Sequence, residues 1–229
     1  HRRMTPSYTI AVDGSTYQGS VAVIRDSEVV AEREARSGKR EAGSGDALMP
    51  AIAECLNEVA IKREDIARIV CGAGPGSFTS LRVAGSVAKG LAVGYGVDLF
   101  AVSSLVLTVA GARPTLPAGE YLSVLDAMRG EYFVARVALL SDKTVIQPEP
   151  TKLVAAAELV ELAEREPLVR IVGPGQLLDF SPHARGVAPL LKSLIAQGPV
   201  DLASWEPNYG RLAEAQVRWE AEHGRPLQT

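Results

Sequence analysis

Three short runs carry the groups that could handle a phosphate. They are Asp13-Gly14-Ser15-Thr16, Gly74-Pro75-Gly76-Ser77-Phe78-Thr79-Ser80-Leu81-Arg82, and Asp126-Ala127-Met128-Arg129-Gly130-Glu131. A carboxylate at the end of a strand can hold the water shell of a magnesium ion while turn N–H groups hold phosphate. Gly74 and Gly76 admit backbone angles that side chains forbid, and Pro75 stiffens the turn between them. Ser77 or Thr79 can cap a following helix, whose free N–H groups and dipole suit a phosphate or carboxylate. Asp13, Gly74, Gly76, Ser77 and Thr79 are therefore the candidate anion or nucleotide site, with Asp126 as a second cleft aspartate. Each run also has a plainer reading: an aspartate capping its own turn, or a glycine turn that binds nothing.

Other chemistries find less support. Gly-Pro-Gly-Ser-Phe-Thr lacks the G-x-S-x-G spacing of a nucleophile elbow, so Ser77 reads as a turn and cap residue. There is no H-E-x-x-H motif, and His1, His183 and His223 are scattered, so neither a metalloprotease nor a zinc site is expected. His183, beside Pro182, reads as a surface histidine, and Arg129 as an exposed turn charge with an anion contact as the alternative. Gly173-Pro174-Gly175 is a weak candidate for an adenosine loop. Cys55 and Cys71 fall in apolar segments and read as reduced core thiols.

The elements that must position these runs follow from periodicity. Tyr8 to Asp13 reads as a strand, Gly19 to Ile24 as a second, and Glu28 to Ala35 as a third after the turn Arg25-Asp26-Ser27. Ser37 to Gly45 reads as a loop. Asp46 stands at a helix cap, and Leu48, Met49, Ile52, Cys55, Leu56 and Val59 follow at helical spacing. Ile66 to Cys71 is a buried strand leading into the glycine turn, and Arg82 to Val93 is the helix leading out. There Ala84, Ala88 and Ala92 recur every four residues, which lets another helix approach closely. Asp98 to Val102 is a short strand, and Ser103-Ser104 caps a helix through Gly111.

Prolines around Arg113 to Gly119 mark a boundary, after which the order partly restarts. Strands are expected over Tyr121 to Asp126, Glu131 to Leu140, Lys143 to Gln147 and Leu168 to Val172. Helices are expected over Val154 to Glu166, Val187 to Gln197 and Leu212 to His223. The sequence thus predicts an α/β chain of two lobes, residues 4–112 and a shorter 113–229. The arrangement is analogous to actin-like kinases (the ribonuclease H-like, or ASKHA, class).

Composition narrows the class. With 229 residues, 47% hydrophobic content and 22% charge, the chain has enough material for a proper core. A net charge of -3 provides no global field for nucleic acid, so an RNA role would lean on a partner. His1-Arg2-Arg3 before Met4 reads as the remnant of an added tag. No signal peptide follows and no apolar run is long enough to span a membrane, so a cytoplasmic chain with no membrane partner is expected.

Read together, the three runs, Leu48-Met49-Pro50, Ala88-Lys89-Gly90-Leu91-Ala92, Val102-Ser103-Ser104-Leu105 and the late Pro207, Tyr209 and Arg211 resemble the bacterial TsaB family, also called YeaZ. The resemblance runs from about Tyr8 to Arg211. It implies a two-lobed actin-like fold with a reduced second lobe. It also implies a non-catalytic subunit in the formation of threonylcarbamoyladenosine at position 37 of tRNA. The implied partners are the catalytic TsaD-type subunit, a TsaE-type ATPase, and tRNA reached through the complex, with a homodimer when the chain is alone. No cofactor is required, although ATP or ADP at the partner interface is compatible. The partner face implied is that of the first-lobe helices: Leu48, Ile52, Leu56, Ala84, Val87, Ala88 and Leu91. Three positions depart from the family: Ser44-Gly45-Asp46 replaces a His-Ser-Glu run, Ser80 replaces a glycine, and Gly14 replaces a threonine. The alternative reading is a free-standing actin-like kinase or ATPase dependent on Asp13 and Asp126. A plain homodimeric interaction module is a third.

Overall fold

Tyr8–Asp13 (β1) is buried along its whole length, as its unbroken apolar and small residues require of a central strand. The computed structural model describes residues 7–36 and 45–210. Of the loop expected over 37–45, residues 37–44 lie outside them and Gly45 instead begins a helix; the helix expected at 212–223, Arg211 and the terminal histidines also lie outside. Beside β1, Gln18–Arg25 (β2) and Glu28–Arg36 (β3) complete an antiparallel meander. Helix Gly45–Val59 (α1) leads to Ile66–Gly72 (β4), and helix Phe78–Tyr95 (α2) leads to Asp98–Val102 (β5). Strands β4 and β5 join in parallel, giving the sheet order β3-β2-β1-β4-β5.

After the helix Ser104–Ala110 (α3), a second sheet repeats part of this plan. Gly119–Asp126 (β6) and Glu131–Leu139 (β7) pair antiparallel, followed by the short Val145–Ile146 (β8). Lys152–Ala155 (β9) also pairs with β7, and helix Ala156–Arg165 (α4) leads to Arg170–Val172 (β10), parallel to β6. The last described helix is Val187–Gln197 (α5).

Alternation along the strands sorts the core into three parts. Ile10, Val12, Ile69 and Cys71 point outward beneath α1 and α2. Ala11, Val70, Tyr121, Leu125 and Phe133 point inward, where α3 and α5 fill the space between the sheets. Leu122, Val124 and Val134 lie beneath α4.

Two expectations shift. The strand β9 was not legible, because Leu153 and Val154 run into the apolar spacing of α4. Val154 is instead paired opposite Tyr132. Residues 187–208 also reach the first sheet. Helix α5 packs on β5 and α3, the Val200 N–H donates to Leu99 O (2.9 Å), and the Asn208 N–H donates to Ala73 O (2.7 Å). Among the described residues no helix is long and apolar enough to cross a membrane.

Candidate functional site

At the end of β1, Asp13 is wholly buried. Its Oδ1 accepts from the Ser15 backbone N–H (3.1 Å) and hydroxyl (2.7 Å), and its Oδ2 accepts from the Ser104 hydroxyl (2.6 Å). Ser104 Oγ in turn accepts from the Gly74 N–H (3.0 Å). Burial raises the Asp13 carboxyl above its ordinary value, while the hydrogen bonds from Ser104 and Ser15 work the other way. Both carboxylate oxygens are engaged within the chain, so Asp13 organises its loop rather than facing the water shell of a metal ion.

The glycine turn presses directly on this loop. The Ser77 N–H donates to Ser15 O (2.7 Å), and a Cβ at Gly76 would lie 2.1 Å from that same oxygen. A Cβ at Gly72 would lie 1.9 Å from Asp13 Oδ2. Gly74 has φ +86° and lies beneath Asn208 O, 2.4 Å from a Cβ built there. Backbone thus occupies the approach to the turn from both sides. Gly14 has a local reason as well: a Cβ there would sit 2.7 Å from the Ala84 Cβ and 2.9 Å from Ser80 O.

Neither expected cap closes on the helix. Ser77 occupies the N-cap of α2 without a side-chain bond to the helix backbone, and its hydroxyl donates to Ser80 Oγ (3.2 Å). Thr79 is exposed in the first turn. Phe78 next to it stacks on Tyr209 with centroids 4.6 Å apart, and the Arg82 guanidinium lies 5.6 Å from the Phe78 ring. Ser104 is the residue that sequence reasoning undervalued. The pair Ser103-Ser104 after a strand signalled a cap, but not the bond to Asp13 across 91 positions.

The remaining candidates fall apart spatially. Asp126 is exposed and accepts from the Met128 N–H (2.7 Å), capping its own turn. Gly175 donates to Asp179 Oδ1 (2.9 Å), which makes the second glycine turn a tied loop. His183 is not a surface residue: it is 6% exposed, and its Nδ1 accepts from the Arg185 N–H (3.1 Å). Burial, with Arg185 and Arg113 nearby, pushes it down to about 3. Beside it Glu32 Oε1 accepts from Arg113 (2.8 Å) and Arg185 (3.0 Å). Among the described residues no group of three His, Cys, Asp or Glu is arranged to hold a metal ion.

The partner-face residues divide. Leu48, Ile52, Ala84 and Ala88 are at most 2% exposed, packed between helix and sheet, and cannot present side chains to another molecule. Leu56, Val87 and Leu91 are partly buried at the margin of the same cluster. The alanine stripe has the right period and the wrong side. Two residues further on, Ser86, Gly90 and Gly94 repeat the spacing on the exposed side, and a Cβ built on Gly90 or Gly94 meets nothing within 4 Å. Met49, Ala53, Asn57 and Val93 are exposed with them on α1 and α2, helices that touch each other.

A family model described as TsaD, tRNA N6-adenosine threonylcarbamoyltransferase, matches residues 43–172, more than half of the chain. The chain belongs to that family. Within it, the chain is 28% identical to the tRNA threonylcarbamoyladenosine biosynthesis protein TsaB of Bacillus subtilis, over 92% of this chain and 96% of that protein. It is 29% identical to TsaB of Escherichia coli over 66% of this chain and 63% of that protein. The solved structure of YeaZ from Pseudomonas aeruginosa superposes with a TM-score of 0.72 at 22% identity, covering 89% of this chain and 99% of that one. The homology to TsaB/YeaZ proteins spans most of the chain, and the superposition shows that the chain has the fold of the YeaZ structure.

Proposed function

We propose that this chain is a non-catalytic subunit in the formation of threonylcarbamoyladenosine in tRNA. In this reading it pairs with a catalytic TsaD-type subunit through the outer face of α1 and α2. The observation that carries the proposal is the closed glycine turn: Asp13 is spent on Ser15 and Ser104, and Ser15 O and Asn208 O occupy the approach. A kinase of this architecture needs that aspartate and that turn open to phosphate. The family resemblance supplies the pathway, and the open stripe Ser86, Gly90 and Gly94 supplies a surface that a partner helix can approach closely.

The second lobe is reduced in this proposal, since among the described residues no strand follows β10 as β5 follows β4. A TsaE-type ATPase joins the pair, tRNA is reached through the complex, and the shared interface is where ATP or ADP would bind, with no cofactor required. In isolation the same helix face pairs with a second copy. The setting is the cytoplasm.

The test is co-expression with the TsaD-type subunit of the same organism, then size-exclusion chromatography and nucleoside analysis of the tRNA. A one-to-one complex that forms the modified nucleoside, with no activity from either chain alone, is expected. Failure to form a complex, together with ATP turnover by this chain that Asp13→Asn abolishes, would replace the proposal with the kinase reading.

A further inference from the structure

A hollow of about 180 Å³ opens where the first sheet meets the loop that follows β10. Ser20, Glu34, Asp179, Phe180, His183 and Arg185 line it, and none of them belongs to the Asp13 loop or the glycine turn. We propose that it binds a small α-amino acid as the zwitterion, with the carboxylate at the floor and the ammonium at the mouth. Sites for drug-sized ligands measure ~300–1,000 Å³, so a hollow of this volume takes one small molecule.

Burial sorts the lining into two ends. Ser20 and His183 are 2% and 6% exposed and form the floor, whereas Glu34 and Asp179 are exposed at the rim. The Ala184 N–H donates to Ser20 Oγ (2.9 Å), which fixes the loop against β2 and makes the floor a built surface. His183 Nδ1 accepts from the Arg185 N–H (3.1 Å), so the neutral ring carries its proton on Nε2. Among the described residues no group accepts from that second nitrogen, which leaves it as a donor for whatever fills the hollow. Behind the floor stand two guanidiniums, Arg113 and Arg185, against the one carboxylate that both of them hold, Glu32. A fixed donor in net positive surroundings suits a carboxylate.

Strand register puts the opposite charge at the other end. Glu34 pairs opposite Ser20 and Glu32 opposite Ala22, so both glutamates share the inward face of the first sheet. Glu32 is held by the two arginines, and Glu34, two residues along, stands at the hollow. Asp179 joins it from the loop, its Oδ1 accepting from the Gly175 N–H (2.9 Å). Two carboxylates at the mouth attract an ammonium and repel an anion that brings no positive charge of its own. An amine alone would leave the floor donor unmet. A molecule with both charges, carboxylate leading, satisfies both ends, and the Phe180 ring gives a short side chain an apolar wall.

The hollow is separate from the α1–α2 face, so the chain on its own tests it whatever becomes of the pairing with a TsaD-type subunit. Calorimetric titration with glycine, L-alanine and L-serine should give a Kd of about 1 mM or tighter for at least one of them. Acetate, ethylamine and glycerol, which carry only the anion, only the cation or neither, should each bind at least tenfold more weakly. Glu34→Gln combined with Asp179→Asn removes both rim charges and keeps an acceptor oxygen at each position. That double variant should still melt cooperatively and should bind the amino acid at least tenfold more weakly. No binding by any of the three amino acids, or binding indifferent to the double variant, would overturn the proposal. Acetate binding as tightly would make the hollow a plain anion site, and glycerol binding as tightly a polyol site; either refutes the zwitterion. If the double variant does not fold, the comparison with acetate, ethylamine and glycerol on the native chain decides alone.

Discussion

Under the proposed pairing, substitutions at Gly90 should separate the stability of this chain from its capacity to bind. Gly90 lies in the middle of α2, and a Cβ built on it meets nothing within 4 Å. Gly90→Ala adds a methyl group to water and removes the backbone entropy that glycine loses in a helix. The gain is about 1 kcal/mol, or roughly 2–4 °C in Tm for a chain of this size. Gly90→Leu has nearly the same helix propensity, so it should melt within a few tenths of a kcal/mol of the alanine variant. In the complex the two diverge. Alanine keeps a close helix approach, while leucine holds a facing helix off and should lower affinity for the TsaD-type subunit at least tenfold, about 1.4 kcal/mol. The assay is a thermal melt of the isolated chain beside calorimetric titration with the partner. A Gly90→Leu chain that melts as expected and binds at wild-type affinity would refute the face. A Gly90→Ala chain that melts lower would refute the exposure of Gly90.

Ala88, two residues earlier and fully buried, should behave in the opposite way: Ala88→Leu overpacks the layer between α2 and the sheet and should cost about 1–3 kcal/mol in chemical denaturation. Asp13→Ala strands the Ser15 N–H, the Ser15 hydroxyl and the Ser104 hydroxyl, so a loss of roughly 2–4 kcal/mol is expected in the same assay. Its tRNA-modifying activity in the complex should fall only as far as the folded fraction does. His183 makes stability sensitive to acid: held down to about 3 when folded, it binds fewer protons than the unfolded chain at its ordinary ~6.5. Its stabilising contribution is therefore complete above pH ~6.5 and is lost as pH falls toward 3, at up to about 1.4 kcal/mol per pH unit. His183→Asn should flatten the Tm profile between pH 6.5 and 4.5 relative to the native chain.

How much of this was legible depended on the range of the interaction. The burial of β1, the glycine turn and the three-stranded opening are local patterns, and unbroken apolar runs with glycines at fixed places reveal them. The face of α2 was not legible, because Ala84, Ala88 and Ala92 share a period of four with Ser86, Gly90 and Gly94. Small residues of either set permit close packing, and only the sheet beneath decides which set is used. The hydrogen bond between Ser104 and Asp13, and the fold that brings Arg113 near the buried His183, join positions far apart in the chain. No local signal marks them. The bond from the Asn208 N–H to Ala73 O, and the closeness of Asn208 O to Gly74, likewise join positions far apart in the chain.

The bonds from Val200 to Leu99 and from Asn208 to Ala73 also govern how the protein is made. Synthesis delivers the strands of the first sheet early, and domains generally fold as they emerge. Here the fifth strand and the glycine turn lack their last backbone partners until more than a hundred further residues have been translated. The nascent first lobe lacks those two bonds for that interval, and each closes a contact of very long sequence separation. A chain released from the ribosome anywhere between 126 and 199 would carry the first sheet whole and the second in part or whole, around an unfinished seam.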